Sequence, residues 1–257
     1  MPIYILSKYL VTGSMVKAVS LCKFPATQIT GTILHKANTI NKMKLKHLII
    51  LSSLTTAIMA QHFTIARLHY DGGGDWYSNP SSLPNLLNYL QTHTAIIAAD
   101  KEARIKLTDE NLYSYPYLYL TGHGNVRFKD AEIIRLRTFL QRGGFLHADD
   151  NYGMDPSFRR EMKRVFPDKE LVPLPFDHPV FHQVFDFDFG LPKVHEHDNK
   201  PPQALALFED DRILVLYTYE SDLGDGWEDA EVHNDPFEIR EAALQMGINI
   251  IHFALTQ

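Results

Sequence analysis

Residues 117–150 read YLYLTGHGNVRFKDAEIIRLRTFLQRGGFLHADD. The run 117–121 is a short apolar strand that ends in the turn Gly122-His123-Gly124. From about Lys129, Ile133, Leu136, Phe139 and Leu140 recur on one helical face, and Gly143-Gly144 closes the helix as a C-cap does. Residues 145–148 are again short and apolar and run into Asp149-Asp150. Strand, helix and strand joined by glycine turns form the repeating unit of a parallel sheet.

The same rhythm extends both ways. Upstream, 63–69 (FTIARLH) alternates as a strand does and is followed by the turn-forming Asp71-Gly72-Gly73-Gly74-Asp75. Ser81-Ser82 precede Leu83, Leu86, Leu87 and Leu90 at helical spacing, with Pro84 tolerated in the first turn, and 95–98 is a short apolar strand. Downstream, Asp155-Pro156 opens a helix to about Phe166. Asp235-Pro236 opens the last one, with Glu238 completing a capping box and Ile239, Ala243, Met246 and Ile250 as its buried stripe. Residues 204–208 and 213–219 form a hairpin across 209–212. No repeat or low-complexity linker interrupts 61–257, so one domain is predicted. Its class is α/β, with a mainly parallel sheet covered by helices and right-handed crossovers. Ligands of such sheets sit at the carboxyl ends of the strands, which here means the loops 70–80, 122–128, 147–155 and 220–231.

Residues 1–60 read differently. From Met43, Lys44 and Lys46 precede an almost uncharged stretch, 48–59, that is too short to span a bilayer comfortably, and Ala60 offers a small residue for cleavage. The pattern is that of a signal peptide over 43–60, with 1–42 an upstream extension from a misassigned start; a buried helix or N-terminal anchor is the alternative for 48–59. The expected mature chain is exported, periplasmic or extracellular, and has no transmembrane segment. The chain's single cysteine, Cys22, lies upstream of this, so disulfides, cysteine metal ligands and a cysteine nucleophile are excluded from the mature chain. With 45% hydrophobic and 22% charged residues the composition is that of a soluble globular protein. A formal net charge of −6 without a dense Lys/Arg run argues against nucleic acid as a partner.

Three groups of residues stand out chemically. Asp149 and Asp150 end a buried strand, where α/β enzymes place catalytic acids. Neighbours on a strand point to opposite faces, so one is expected to face a pocket and the other to cap the turn; two aspartates holding loop amides near Gly153 is the plain alternative. Thirteen histidines form the second group. His123, His147, His178 and His182 are candidate ligands for a divalent metal. His195 and His197, if extended, share a face with Glu196 opposite, although no HExxH occurs. The third group is a pair of loops, Asp71 to Tyr77 and Asp222 to Glu228, that hold both tryptophans. Glycines, carboxylates and an indole face suit a sugar, so Asp71, Asp75, Trp76, Tyr77, Asn125, Asp222 and Trp227 are candidate binding residues. A tryptophan plugging the sheet edge is the alternative. There is no nucleotide cofactor motif: Gly72-Gly73-Gly74 lacks both the P-loop Lys-Ser/Thr and the dinucleotide spacing, and no Gly-x-Ser-x-Gly elbow is present.

Taken together, Gly72-Gly73-Gly74-Asp75-Trp76-Tyr77, Leu120-Thr121-Gly122-His123-Gly124, Gly143 through Asp150, Asp177-His178-Pro179 and Asp222-Leu223…Gly226-Trp227-Glu228 resemble a bacterial family, domain of unknown function 4159. The resemblance runs over nearly all of 63–257. It implies a class I glutamine amidotransferase-like fold, a flavodoxin-like three-layer sandwich. In catalytic members of that superfamily the strand after a Gly-Gly turn ends in a cysteine on a strained elbow; the matching place here is Asp149 or Asp150. The resemblance therefore implies a pocket without the thioester reaction. The leading expectation is recognition of a polar small molecule, such as a sugar or glycan fragment. A metal- or Asp/His-assisted hydrolase is the alternative, with Asp149, Asp150 and His123 as its catalytic groups. A scaffold bound to an envelope protein is the third reading.

Overall fold

The computed structural model describes residues 62–257; the expected upstream extension, the signal peptide with its Ala60 cleavage point, and Cys22 lie outside the described residues. The elements follow as β1 (Ala66–Leu68), α1 (Ser82–His93), β2 (Ala103–Ile105), β3 (Tyr117–Gly122), α2 (Asp130–Gln141), β4 (Phe145–Asp150), α3 (Asp155–Val165), β5 (Val172–Pro173), β6 (Gln203–Glu209), β7 (Arg212–Tyr219), α4 (Leu223–Gly226), α5 (Ala230–His233) and α6 (Phe237–Thr256). The strands make one sheet in the order β2-β1-β3-β4-β7-β6-β5. Neighbours from β2 through β7 are parallel, while β6 runs antiparallel to both β7 and β5. No helix among the described residues is long and apolar enough to cross a membrane.

Strand parity sorts the core into two layers. Tyr117, Tyr119, Phe145 and Leu216 pack with Leu83, Leu86, Leu87 and Leu90 of α1 and with Ala243, Met246 and Ile250 of α6. Leu118, Leu120, Leu146, Ala148 and Tyr217 point the other way, onto Leu136 and Phe139 of α2 and Phe158 and Met162 of α3. The end of α1 shows which force dominates. Ser81 makes no side-chain cap, a loss of about 1 kcal/mol, whereas each fully buried leucine contributes about 1.5–3 kcal/mol. The glycine turn before β4 forms as predicted. Gly143 sits at φ +103°, its N–H donating to Leu140 O, and the Gly144 N–H donates to Phe139 O at 3.0 Å.

Several expectations are corrected. Residues 95–98 are not a strand: Ala98 makes one isolated bridge to Phe63, and the strand beside β1 is β2, three residues at the sheet edge with Arg104 exposed. Three residues are too few to show a period. β4 runs on through Asp149 and Asp150, because Asp149 pairs with Thr121 on one side and Thr218 on the other. Neither Asp155 nor Asp235 caps its helix. Met154 and Pro236 hold the N-cap positions, Asp155 accepts from Arg159 at 2.7 Å, and Asp235 is drawn to His195. Glu238 makes no capping box, whereas Glu132 does reach back to the Lys129 amide (2.7 Å) at α2.

Candidate functional site

The carboxyl ends of the adjacent strands β3, β4 and β7 converge on one acidic well. Parity turns Asp149 toward the α1/α6 layer, where it is fully buried. Its Oδ2 accepts from Gly224 N (2.7 Å) and Tyr119 OH (3.1 Å), and its Oδ1 from Thr218 Oγ1. Behind it, His147 is wedged between Thr218 Oγ1 (3.0 Å) and Tyr117 OH (2.9 Å). Burial pushes Asp149 up to about 7 against the pull of its hydrogen bonds, and pushes His147 down to about 3.

Asp150 faces the opposite layer and caps the turn. Its Oδ1 accepts from the amides of Tyr152 and Met154 (3.1 Å each) and its Oδ2 from Tyr217 OH (2.9 Å). Asp150 thus caps the turn as one of the pair was expected to, while Asp149 points the other way but is fully buried, with both its oxygens hydrogen-bonded. The strained position is neither of them: it is Tyr152, at φ +89° and followed by Gly153 at φ +83°. The Tyr152 ring stacks on His197 and its hydroxyl donates to Asp198.

At the mouth of the well the loop after β7 supplies Asp222 and Asp225. Asp222 has left-handed backbone (φ +57°) and is fully buried. His197 Nε2 contacts its Oδ2, while Oδ1 has no hydrogen-bond partner among the described residues. Burial first, then the charges of Asp149, Asp225 and Asp150, push Asp222 up to about 9. Asp225 Oδ1 accepts from Asn79 and Asn151; its Oδ2 lies 2.9 Å from His195 Nδ1 and 3.9 Å from His233 Nε2. The other nitrogen of His195 is 3.2 Å from Asp235 Oδ1 and from Asp235 Oδ2. His233 Nε2 also lies 3.1 Å from Glu228 Oε2, whose partner oxygen accepts from Ser81. Donor atoms of His195, Asp225 and His233 all fall within 4.8 Å of one another.

The other expected residues separate into distinct places. Asp75 accepts from the His123 amide and lies 3.0 Å from His123 Nδ1, with His123 half-exposed. Asp71 pairs with Lys129 (2.7 Å), which holds its carboxyl below the usual range. Asn125 bridges Gly72 O and Arg160. Trp76 stacks on His69 beside an exposed Tyr77. Trp227 is fully buried and donates Nε1–H to Ala243 O at 2.8 Å, so the expected stacking platform is a core residue.

The quartet His123, His147, His178 and His182 is not brought together, because each ring is committed locally. His178 accepts from Val180 N and packs on Phe253, and His182 contacts Asp186 and Phe176 O. His195 and His197 do share a side, with Glu196 exposed opposite them. An open groove of about 640 Å³, bounded by Arg127, Lys129, Arg160, Glu161 and Arg164, contains none of the well's residues. Its Arg160 and Arg164 are already bonded to Glu161 and to main-chain carbonyls.

His233, Asp235, Asn79 and Asn151 escape sequence reasoning; the one local hint is the charged cluster His233-Asn234-Asp235 beside a proline. Arg67 escapes it too. Buried on β1, it donates to Ser78 O (2.6 Å) and Asn79 O (3.1 Å) and so holds in place the loop that presents Asn79.

The profile of a family described as domain of unknown function (DUF4159) matches residues 64–255, and the chain belongs to that family. Comparison with curated proteins gives no match.

Proposed function

We propose that this member of the DUF4159 family is an exported hydrolase that acts on a polar small substrate, without cysteine, in the well at the ends of β3, β4 and β7. The observation that carries the reading is the chain Asp225–His195–Asp235, an imidazole held at both nitrogens by carboxylates at 2.9 and 3.2 Å. The His195 side chain is one-quarter exposed. Hydrolysis needs a group that activates water and one that returns a proton to the leaving group; because both ring nitrogens of His195 face carboxylates, it serves here as a proton carrier between them, and Asp225 is the group placed to meet water. The recognition-only reading keeps the exposed Tyr77 with Asp75 and His123, but loses Trp227. The turn after β4 supports an amidotransferase-like, flavodoxin-like origin for the sheet, since a strained residue sits between a central parallel strand and a helix there.

Purified full-length chain is expected to hydrolyse at least one of a set of chromogenic phosphate, glycosyl and carboxylic esters. Asp225→Asn and His195→Gln are each expected to lower that rate about 100-fold or more while the circular dichroism is unchanged. Saturable glycan binding by a folded protein that hydrolyses none of the esters would replace this reading with the recognition one. Export rests on the 43–60 pattern, and its test is the intact mass of protein recovered outside the cytoplasm. A chain beginning near Gln61 is expected, and one retaining 43–60 removes the proposal.

A further inference from the structure

We infer that the well binds one divalent transition-metal ion through His195, Asp225 and His233, with Asp235 as the positioning residue behind His195. The first support is distance. Ligand atoms around a tetrahedral zinc ion stand about 3.4 Å apart, and Asp225 Oδ2 lies 2.9 Å from His195 Nδ1 and 3.9 Å from His233 Nε2, on either side of that value. Closing around an ion needs only side-chain adjustment at the mouth, where both imidazoles are partly exposed.

The second support lies behind the ligands. Asp235 engages His195 Nε2, which fixes the ring's orientation and leaves Nδ1 turned to Asp225. A carboxylate on the far nitrogen is the usual partner of a metal-bound histidine. Asp225 is steadied in turn by the amides of Asn79 and Asn151.

Charge is the third. Asp149, Asp150, Asp222 and Asp225 crowd one region, and no Lys or Arg among the described residues is bonded to any of them; Lys193 is taken by Glu220. Asp222 Oδ1 is buried without a partner. Crowded carboxylates with no Lys or Arg among them suit a dication, which would replace the imidazole and hydroxyl contacts that hold them in its absence.

Two imidazoles and one carboxylate select zinc or a neighbouring transition metal over magnesium or calcium, and three protein ligands leave a coordination position for water. The ion's binding stands on the donor geometry alone; only its role as the group that polarises water rests on the hydrolase reading.

The test reads binding without substrate. Metal-free full-length protein is titrated with zinc chloride by calorimetry, and elemental mass spectrometry follows gel filtration. One zinc per chain is expected. His233→Ala, a change at an exposed side chain, is expected to lower affinity at least about 100-fold, and Asp235→Asn about 10- to 100-fold with the one-to-one ratio kept. His178→Ala is expected to leave binding unchanged. A folded wild type that takes up no zinc at micromolar concentration overturns the site, as does zinc binding that survives both His233→Ala and Asp225→Asn. Because no ester is present, the ion can fail while hydrolysis stands, and hydrolysis can fail while the ion stands.

Discussion

Asp222→Asn is expected to stabilise the metal-free protein at pH 8, and to remove a fall in stability of about 2 kcal/mol that the wild type shows between pH 7 and pH 9. Burial and the neighbouring Asp149, Asp225 and Asp150 push the Asp222 carboxyl up to about 9 from 3.8. A raised carboxyl means that the folded state holds a proton the unfolded chain releases. The stability linked to that proton is complete below pH 3.8 and is lost as pH rises through 9. Asp149 acts in the same direction but finishes near 7, and His147, lowered to about 3 from 6.5, acts oppositely and only below 6.5. Asp150 and His182 are raised as well and act in the same direction, so the asparagine variant, and not the wild type alone, isolates the part that belongs to Asp222. Asparagine keeps the shape, tolerates the left-handed backbone at φ +57° and carries no charge to bury. Urea unfolding of both proteins in chelator at pH 7 and pH 9 measures the difference. A variant less stable than the wild type at pH 9, or a wild type indifferent to pH over this range, refutes the account. A gain in stability on replacing Asp222 is the behaviour of a functional residue, since such sites keep groups that cost stability.

Trp227→Ala is expected to cost about 3–5 kcal/mol, which for a domain of this size lowers the melting temperature by roughly 10 °C. The indole is fully buried, its ring centroid lies 5.6 Å from that of Tyr119 and 6.0 Å from that of His147, and its N–H is bonded to Ala243 O. Removal opens a cavity beside Tyr119 and His147 and takes the second donor from the Ala243 carbonyl, which α6 also bonds. Thermal unfolding followed by circular dichroism reads the effect. A loss under about 1 kcal/mol means that the side chain is not packed in the core, and the sugar-platform reading of Trp227 returns.

The β3–α2–β4 unit was legible because each signal there is local. Tyr117, Leu118, Tyr119 and Leu120 all find apolar surroundings, since both sheet faces are covered, and the glycines at 143 and 144 close α2 within one turn. Asp155 and Asp235 misled for the converse reason. An Asp-Pro pair is a local cap signal, but a carboxylate within reach of an arginine or imidazole gains more from that partner than from two amides. The divergence of Asp149 and Asp150 followed from strand parity alone. Trp227 did not announce its place, because an indole flanked by acids reads the same whether its ring meets a ligand or α6.

The sequence by itself determined the family, the α/β class, the parallel core of the sheet, the loops in which chemistry must lie and the absence of a cysteine from 61–257. These depend on spacings of two to four residues, which strand and helix periods translate directly into faces. Only the tertiary structure decided which histidines meet which acids. His195, Asp225 and His233 are separated by 30 and 8 residues along the chain and converge because the loop after β7 folds back over β4. The four histidines expected to meet stay apart because each has its own partner. Hydrogen bonds and charge pairing act through space at about 3 Å, and no pattern along the chain encodes a distance that the sheet order and the burial of Asp149 have first to set.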